Sequence, residues 1–377
     1  MNPLKELNRF GQSIWFDNIS RDLLTNGELE RMIDEYAVTG ITSNPSIFEK
    51  AISAGDDYDG DIRDFVAKGL DGPDLLTALF VKDITLAAKA LLPVYEKSRG
   101  RDGFVSIEVN PLLARDAAGT IKEARELHST INMPNILLKV PATVEGVEAV
   151  EELLYDGLNI NVTLLFSVDR YRDVARAYVR ALQRRLDEGR SVDGIFSVAS
   201  FFVSRVDNLF DTTLEEMAEG STDTSNKEAL TSLAGKVAVA NAKLAYIKSR
   251  DIFGDDNFGA LGAAGAGEQK LLWASTSTKN KAYSDIKYVE ELVGKETINT
   301  VPLNTMLAFK DHGTVGPTLA SGLDEAGEVM ASLSGLDINY TSLTDRLEDE
   351  GVKAFADSYE SLLAGVMAKK DSIIKRG

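Results

Sequence analysis

Six polar residues carry the chemistry that can be read from this chain: Asp17, Asn44, Glu108, Lys139, Asn161 and Thr163. Lys139 stands in Asn135-Ile-Leu-Leu-Lys-Val-Pro141, an apolar run with the composition of a parallel strand buried on both faces. Burial disfavours an unpaired ammonium and lowers a lysine's pKa by up to ~3 units or more. The neutral amine is a nucleophile that forms Schiff bases with ketones. A strand-end lysine equally well runs its stem out to water or pairs with a carboxylate. The stretch alone leaves both readings open.

The elements that must hold these residues alternate between strand and helix. Candidate strands run from Ser13 to Ile19, Gly40 to Asn44, Phe104 to Asn110, Asn135 to Pro141, Asn159 to Phe166, Gly194 to Phe202, Leu271 to Thr276 and Asn299 to Leu303. In the third, Val105, Ile107 and Val109 share one face while Ser106, Glu108 and Asn110 share the other; Asn161 and Thr163 share a face of the fifth. Helices are expected from an N-cap at Asn26 through Tyr36, with Gly40 as punctuation, and from Thr143 to Tyr155, ending at Gly157. Others run from Asp169 to Arg190, with an arginine-rich face turned to solvent, from Asn226 to Lys248, and beyond Leu319. Gly262 to Gly267 precedes a strand, whereas a dinucleotide-binding glycine turn follows one, so it reads as a flexible loop. The acidic cluster Asp56 to Asp61 fails as a calcium loop, because positions one and twelve would be Gly55 and Val66; it reads as a solvated loop. Asn161-Val-Thr163 matches a glycosylation sequon inside a buried strand and is read as accidental.

Eight strands alternating with helices point to an α/β fold, a (β/α)₈ TIM barrel with additional helices, over a doubly wound open sheet. The expected organisation is one barrel domain over residues 1–377, with residues 314–377 as a helical extension packed on it. In this barrel, chemistry belongs at the C-terminal ends of strands. The six polar residues lie late in five successive strands, which chance scatter would not produce.

Composition narrows the partners. A formal charge of −18 and an isoelectric point near 4.7 argue against nucleic acid or an anionic membrane as the main partner. An anionic substrate therefore needs a local basic pocket. No cysteine is present, which excludes disulfides, thiol nucleophiles and cysteine zinc sites. Two histidines, His128 and His312, do not suffice for a histidine-rich metal centre or a Ser-His-Asp triad, so no metal is expected. His128 falls in a helical pattern and reads as surface. The N-terminus lacks a secretion signal and no run of about 18 apolar residues occurs, so a cytoplasmic protein is expected. A homo-oligomer is compatible with the sequence.

Four ordered motifs then become recognisable: Thr42-Ser-Asn-Pro-Ser46, Ile136-Leu-Leu-Lys-Val-Pro141, Ile160-Asn-Val-Thr-Leu-Leu-Phe-Ser167 and Ser200-Phe-Phe-Val-Ser-Arg205. Together they resemble the transaldolase family, and Thr300-Val-Pro-Leu-Asn-Thr305 with Asp311-His-Gly313 resembles the ending of its longer bacterial branch. The resemblance implies cofactor-free transfer of a dihydroxyacetone unit between ketose and aldose phosphates in the non-oxidative pentose phosphate branch. It implies Lys139 as the Schiff-base lysine, Asp17 as the acid/base at the cleaved carbon–carbon bond, and Glu108 as a proton shuttle through a water held with Thr163. It also implies Asn44 and Asn161 as partners of substrate hydroxyls, and Arg205 with Ser200 at the phosphate.

Two positions depart from the shorter branch. Where that branch carries a second phosphate-binding arginine, this chain has Ser277, and Ser275 with Lys279 is expected to take over, as a point charge without bidentate geometry. Phe202 stands where the related fructose 6-phosphate aldolases have a tyrosine that positions water, which favours transfer over cleavage. The rivals are a Schiff-base aldolase releasing free dihydroxyacetone and a catalytically silent sugar-phosphate-binding barrel. A metal-dependent aldolase is disfavoured by the histidine count.

Overall fold

The computed structural model describes residues 2–53 and 55–376. Its eight strands are β1 (Gln12–Asp17), β2 (Val38–Thr42), β3 (Val105–Glu108), β4 (Ile136–Pro141), β5 (Ile160–Leu165), β6 (Ser197–Phe202), β7 (Lys270–Ala274) and β8 (Thr297–Val301). They close in sequence order into a parallel barrel with helices between them. Every residue of β4, β5 and β6 is buried, as continuous apolar runs covered on both faces require. At the seam, Gln12 Nε2 donates to Leu292 O at 2.7 Å and to Thr297 Oγ1 at 3.0 Å, joining β1 to the segment around β8.

Strand ends shift from expectation where backbone geometry intervenes. β7 stops at Ala274 because Ser275 takes a left-handed φ of 55°, and β6 starts only after the turn at Gly194, with φ of 79°. The first long helix spans Glu28–Tyr36 with Gly27 as its cap, preceded by a short helix Arg21–Thr25 that periodicity did not reveal. It ends at Ala37, so Gly40 is no helix punctuation but a β2 residue. A Cβ there would lie 2.5 Å from the Trp15 ring, so only glycine lets β2 pass the indole. The expected helix from Asn226 to Lys248 is two helices, Thr224–Leu233 and Val237–Ile252. They are separated at Gly235, where Asp211 and Asp207 of the helix Ser204–Gly220 accept from Gly235 N and Ala238 N. The glycine-rich segment begins as the end of helix Asp255–Ala263, so only its last four residues lie outside the helix.

The acidic cluster is not a free solvated loop. Asp59 opens the helix Asp59–Ala67, Tyr58 is fully buried with its hydroxyl donating to Asp83 at 2.7 Å, and Asp61 accepts from Arg21 and Lys82. Arg21 also donates to Asp83 at 2.6 Å, so the cluster staples three helices together. On helix Val168–Asp187, Arg180 and Arg184 pair with Glu151 and Glu152 at the surface, but Arg185 is buried and donates to Ser191 O and Tyr155 O. His128 is exposed, and His312 reaches Asp285 in the segment after β7 at 3.0 Å.

Past β8 the chain forms helices Leu303–His312, Leu323–Gly335 and Tyr340–Arg376. The last crosses the C-terminal end of the barrel. At its start Tyr340 donates to Asn241 at 2.6 Å, and Arg170 binds Glu348 at 3.1 Å. Further on, Ser358 meets Ser46 at 2.8 Å, Ser361 donates to Glu49 at 2.6 Å, and Lys369 donates to Ile52 O at 3.0 Å, all on helix Pro45–Ser53. Among the described residues no helix is long and apolar enough to cross a membrane, and no cluster of three or more potential metal ligands occurs.

Candidate active site

Strand register assembles the centre. Glu108 on β3 pairs with Lys139 on β4, which pairs with Asn161 on β5, so three functional side chains occupy one layer on adjacent strands. Asp17 and Thr42 make an equivalent pair on β1 and β2. Asp17, Thr42, Asn44, Lys139, Thr163, Ser200, Phe202, Arg205 and Ser275 all line one cavity of about 500 Å³ at the barrel mouth.

Lys139 is 5% exposed and donates to Ser43 O at 3.1 Å. No carboxylate of the described residues lies within ion-pairing distance of it. The salt-bridged surface lysine considered from sequence is therefore not what the fold produces. Both carboxylate oxygens of Glu108 are buried without a hydrogen-bond partner among the described residues, and so is Thr163 Oγ1. Burial pushes the Glu108 carboxyl up to about 7; Lys139 pulls in the opposite direction and Asp17 adds to the rise. A carboxyl held neutral near pH 7 is suited to give and take a proton. An unsatisfied buried polar group costs free energy, so two on the strands that flank the lysine strand mark a place where substrate or solvent completes the bonding.

β5 departs from regularity beside these groups. Leu164 has a φ of 61°, and the register with β6 slips between Val162 and Leu165. Such a bulge re-aims side chains, and a branched residue in the left-handed region is strained, a pattern that gathers at functional sites.

The amide of Asn161 is fixed at both ends: Nδ2 donates to Ser106 Oγ at 3.0 Å, and Oδ1 accepts from Ser200 Oγ at 2.7 Å. Ser200, expected beside Arg205 at a phosphate, instead spends its proton on Asn161 deeper in the barrel. Asn44 Oδ1 accepts from Ile47 N at 3.1 Å and caps helix Pro45–Ser53, leaving its amide NH₂ to face the cavity without a partner among the described residues. Thr42 donates to Asp17 Oδ1 at 2.7 Å and lies 2.7 Å from Thr300 Oγ1. Because an ionised carboxylate only accepts, Thr300 must be the donor to Thr42, and the two hydroxyls form a chain that orients Asp17.

Arg205 makes no hydrogen bond or ion pair to any described residue, and its guanidinium lies 5.4 Å from the Phe202 ring centroid. Burial lowers its pKa below the ordinary value and Glu350 partly offsets this. It is a cation with its fork unspent, in an otherwise acidic protein. Lys279 does not join it: exposed, it donates to Ser277 at 2.8 Å and does not line the cavity. Ser275 does line it, with its hydroxyl 2.9 Å from Ser204. The expected second cation is thus missing from the wall: Thr276 folds back to donate to Thr300 O, and the chain reaches the surface by Lys279.

Sequence reasoning missed Thr42, Thr300 and Phe355. Thr42 and Thr300 sat inside recognised motifs as unremarked hydroxyls. Phe355 comes from the crossing helix and stands with its ring centroid 5.6 Å from Lys139 Nζ.

Residues 14–366 match the family described as transaldolase/fructose-6-phosphate aldolase. The chain is 44% identical over 372 residues to a transaldolase 2 of Nostoc sp., covering 98% of each. It is 46% identical over 366 residues to a transaldolase of Thiobacillus denitrificans, covering 97% of this chain and 100% of that one. A transaldolase of Trichodesmium erythraeum is 43% identical over 370 residues, 98% of this chain and 97% of its own.

Proposed function

The chain belongs to the transaldolase/fructose-6-phosphate aldolase family, and from that premise we propose that Lys139 is the amine through which it moves a three-carbon unit between sugar phosphates. The enzyme is a transferase of the transaldolase type, and its place is the non-oxidative pentose phosphate branch. The observation that carries the residue assignment is the buried Lys139 in register with Glu108, the amine without an ion pair and the carboxyl without a hydrogen-bond partner among the described residues.

The amine adds to the ketose carbonyl of fructose 6-phosphate or sedoheptulose 7-phosphate. Glu108, protonated, gives its proton to the departing hydroxyl of the carbinolamine, through a water shared with Thr163, and leaves an iminium. Asp17, oriented by Thr42, takes the proton of the hydroxyl on the departing carbon, which becomes the aldehyde carbonyl as the carbon–carbon bond breaks. The electron pair delocalises into the iminium as an enamine, and the aldose phosphate departs. Erythrose 4-phosphate or glyceraldehyde 3-phosphate then adds by the reverse steps. Asn161 and Asn44 hold hydroxyls of the three-carbon unit, and Arg205 holds the phosphate with its planar fork. Ser200 acts by locking Asn161.

The whole chain serves as one catalytic domain, with residues 314–377 as its helical extension. Its cysteine-free composition fits a cytoplasmic setting. Reduction with borohydride in the presence of fructose 6-phosphate, followed by peptide mapping, tests the assignment: a stable adduct on Lys139 is expected, and a folded enzyme without one defeats it. Product formation with and without an aldose phosphate separates transfer from simple aldol cleavage.

A further inference from the structure

We propose that Phe355 is a specificity-determining residue: it keeps water from the lysine-bound three-carbon unit and so commits the enzyme to transfer over release of free dihydroxyacetone. This rests on the reading of Lys139 as the Schiff-base amine. Phe355 is 6% exposed and lines the same cavity as Asp17, Thr163 and Arg205. Below the amine the barrel is polar, with Glu108, Asn161 and Ser200; on the solvent side it meets a phenyl ring.

The ring's position is built into the helix that carries it. Gly351, one turn earlier on the same face, sits so close to the strained Leu164 that a Cβ would meet Leu164 Cδ2 at 3.0 Å and Phe166 Cε2 at 3.5 Å. Tyr359, one turn later, is 8% exposed and lines a neighbouring cavity with Asn44 and Glu108. Residues 351, 355 and 359 therefore form a ridge laid across the mouth. Its small first member lets the helix descend, and its aromatic members fill the gap.

A transferase must hold its enamine until the second aldose arrives. The competing route begins when the enamine carbon takes a proton, regenerating an iminium. Water then adds to the imine carbon and loses a proton, the nitrogen is protonated, and the carbon–nitrogen bond breaks with its electron pair returning to nitrogen as the new hydroxyl gives up its proton to become the ketone. The products are dihydroxyacetone and the free Lys139 amine. Glu108 and Asp17 supply proton transfer for either route, and both routes end with hydrolysis of an iminium, so the choice is made at the enamine carbon and turns on whether further water from the mouth reaches it before the aldose does. A phenyl face tolerates the iminium charge while offering water no hydrogen bond.

The readout is the ratio of dihydroxyacetone release without acceptor to transfer with erythrose 4-phosphate, measured on wild type, Phe355→Leu and Phe355→Ala. Phe355→Ala is expected to raise the ratio roughly tenfold or more, about 1.4 kcal/mol of lost discrimination. Phe355→Leu, which keeps the apolar bulk, should stay near wild type. A folded alanine variant whose ratio is unchanged, with both rates falling together, makes Phe355 a helix anchor only and overturns the proposal. If Phe355→Ala does not fold, Phe355→Val replaces it, with a severalfold rise expected and an unchanged ratio refuting. A wild-type borohydride adduct on Lys139 with a flat ratio sinks this inference alone; the absence of the adduct sinks the underlying site assignment.

Discussion

Replacing Glu108 by glutamine tests how dry the barrel mouth is. The folded carboxyl titrates at about 7, against an ordinary 4.5. Between those values the unfolded chain has released the proton while the folded one still holds it, so stability falls as pH rises through this window. Below 4.5 both states hold the proton and the contribution is intact; above about 7 both have lost it and the loss is complete. The gap corresponds to roughly 3 kcal/mol, most of which falls between pH 5 and pH 8. Glutamine keeps the shape and cannot ionise. Urea unfolding of wild type and Glu108→Gln, followed through the buried Trp15 and Trp273, should therefore show the variant gaining roughly 2–3 kcal/mol on wild type from pH 5 to pH 8. All other titrating groups cancel to first order in that comparison. A constant offset would mean that Glu108 ionises as an exposed carboxylate does, and its role as a proton donor near neutrality would fall with it.

Lys139→Ala should lose turnover and the borohydride adduct while circular dichroism stays that of the barrel, since among the described residues the amine donates only to Ser43 O; residual trapping on another residue would contradict the assignment. Arg205→Ala should raise KM for phosphorylated donors by roughly ten- to a hundredfold, from the ~1.5–3 kcal/mol of a charged hydrogen bond, with kcat changed far less; an unchanged KM would remove Arg205 from the phosphate. Phe202→Tyr should shift activity toward cleavage without acceptor, and a constant ratio of the two activities would show that the ring at 202 does not set it.

The barrel was legible because its strands advertise themselves. Continuous apolar runs gave β4 and β5 to within a residue, and the period of two placed Glu108 and Asn161 on the inner face beside Lys139. Position along the strand then put them at the mouth. What stayed hidden depended on tertiary neighbours. Lys279 sits two residues beyond Ser277 on paper, but the chain has reached the surface there. Ser200 lies in the motif that ends at Arg205, yet its hydroxyl turns inward to donate to Asn161. Nothing in the local pattern of the acidic cluster discloses Arg21, nearly forty positions earlier. Phe355 belongs to an ordinary amphipathic pattern, and only docking of its helix gives it a task.

The crossing helix also ties late residues of the chain to early ones. Its bonds to Ser46, Glu49 and Ile52 span 312 to 317 positions, beyond the 285 that separate Gln12 from Thr297 at the barrel seam. Loop-closure cost grows only with the logarithm of separation, so the two closures cost the same to within about 0.1 kcal/mol and the spans impose no order on them. What the helix decides is separate from the seam: lifted alone, it would leave lysine and carboxylates in register on their strands with no roof over them. A molecule in that state would make the imine and squander it, so fidelity rests on contacts that the chemistry itself does not use.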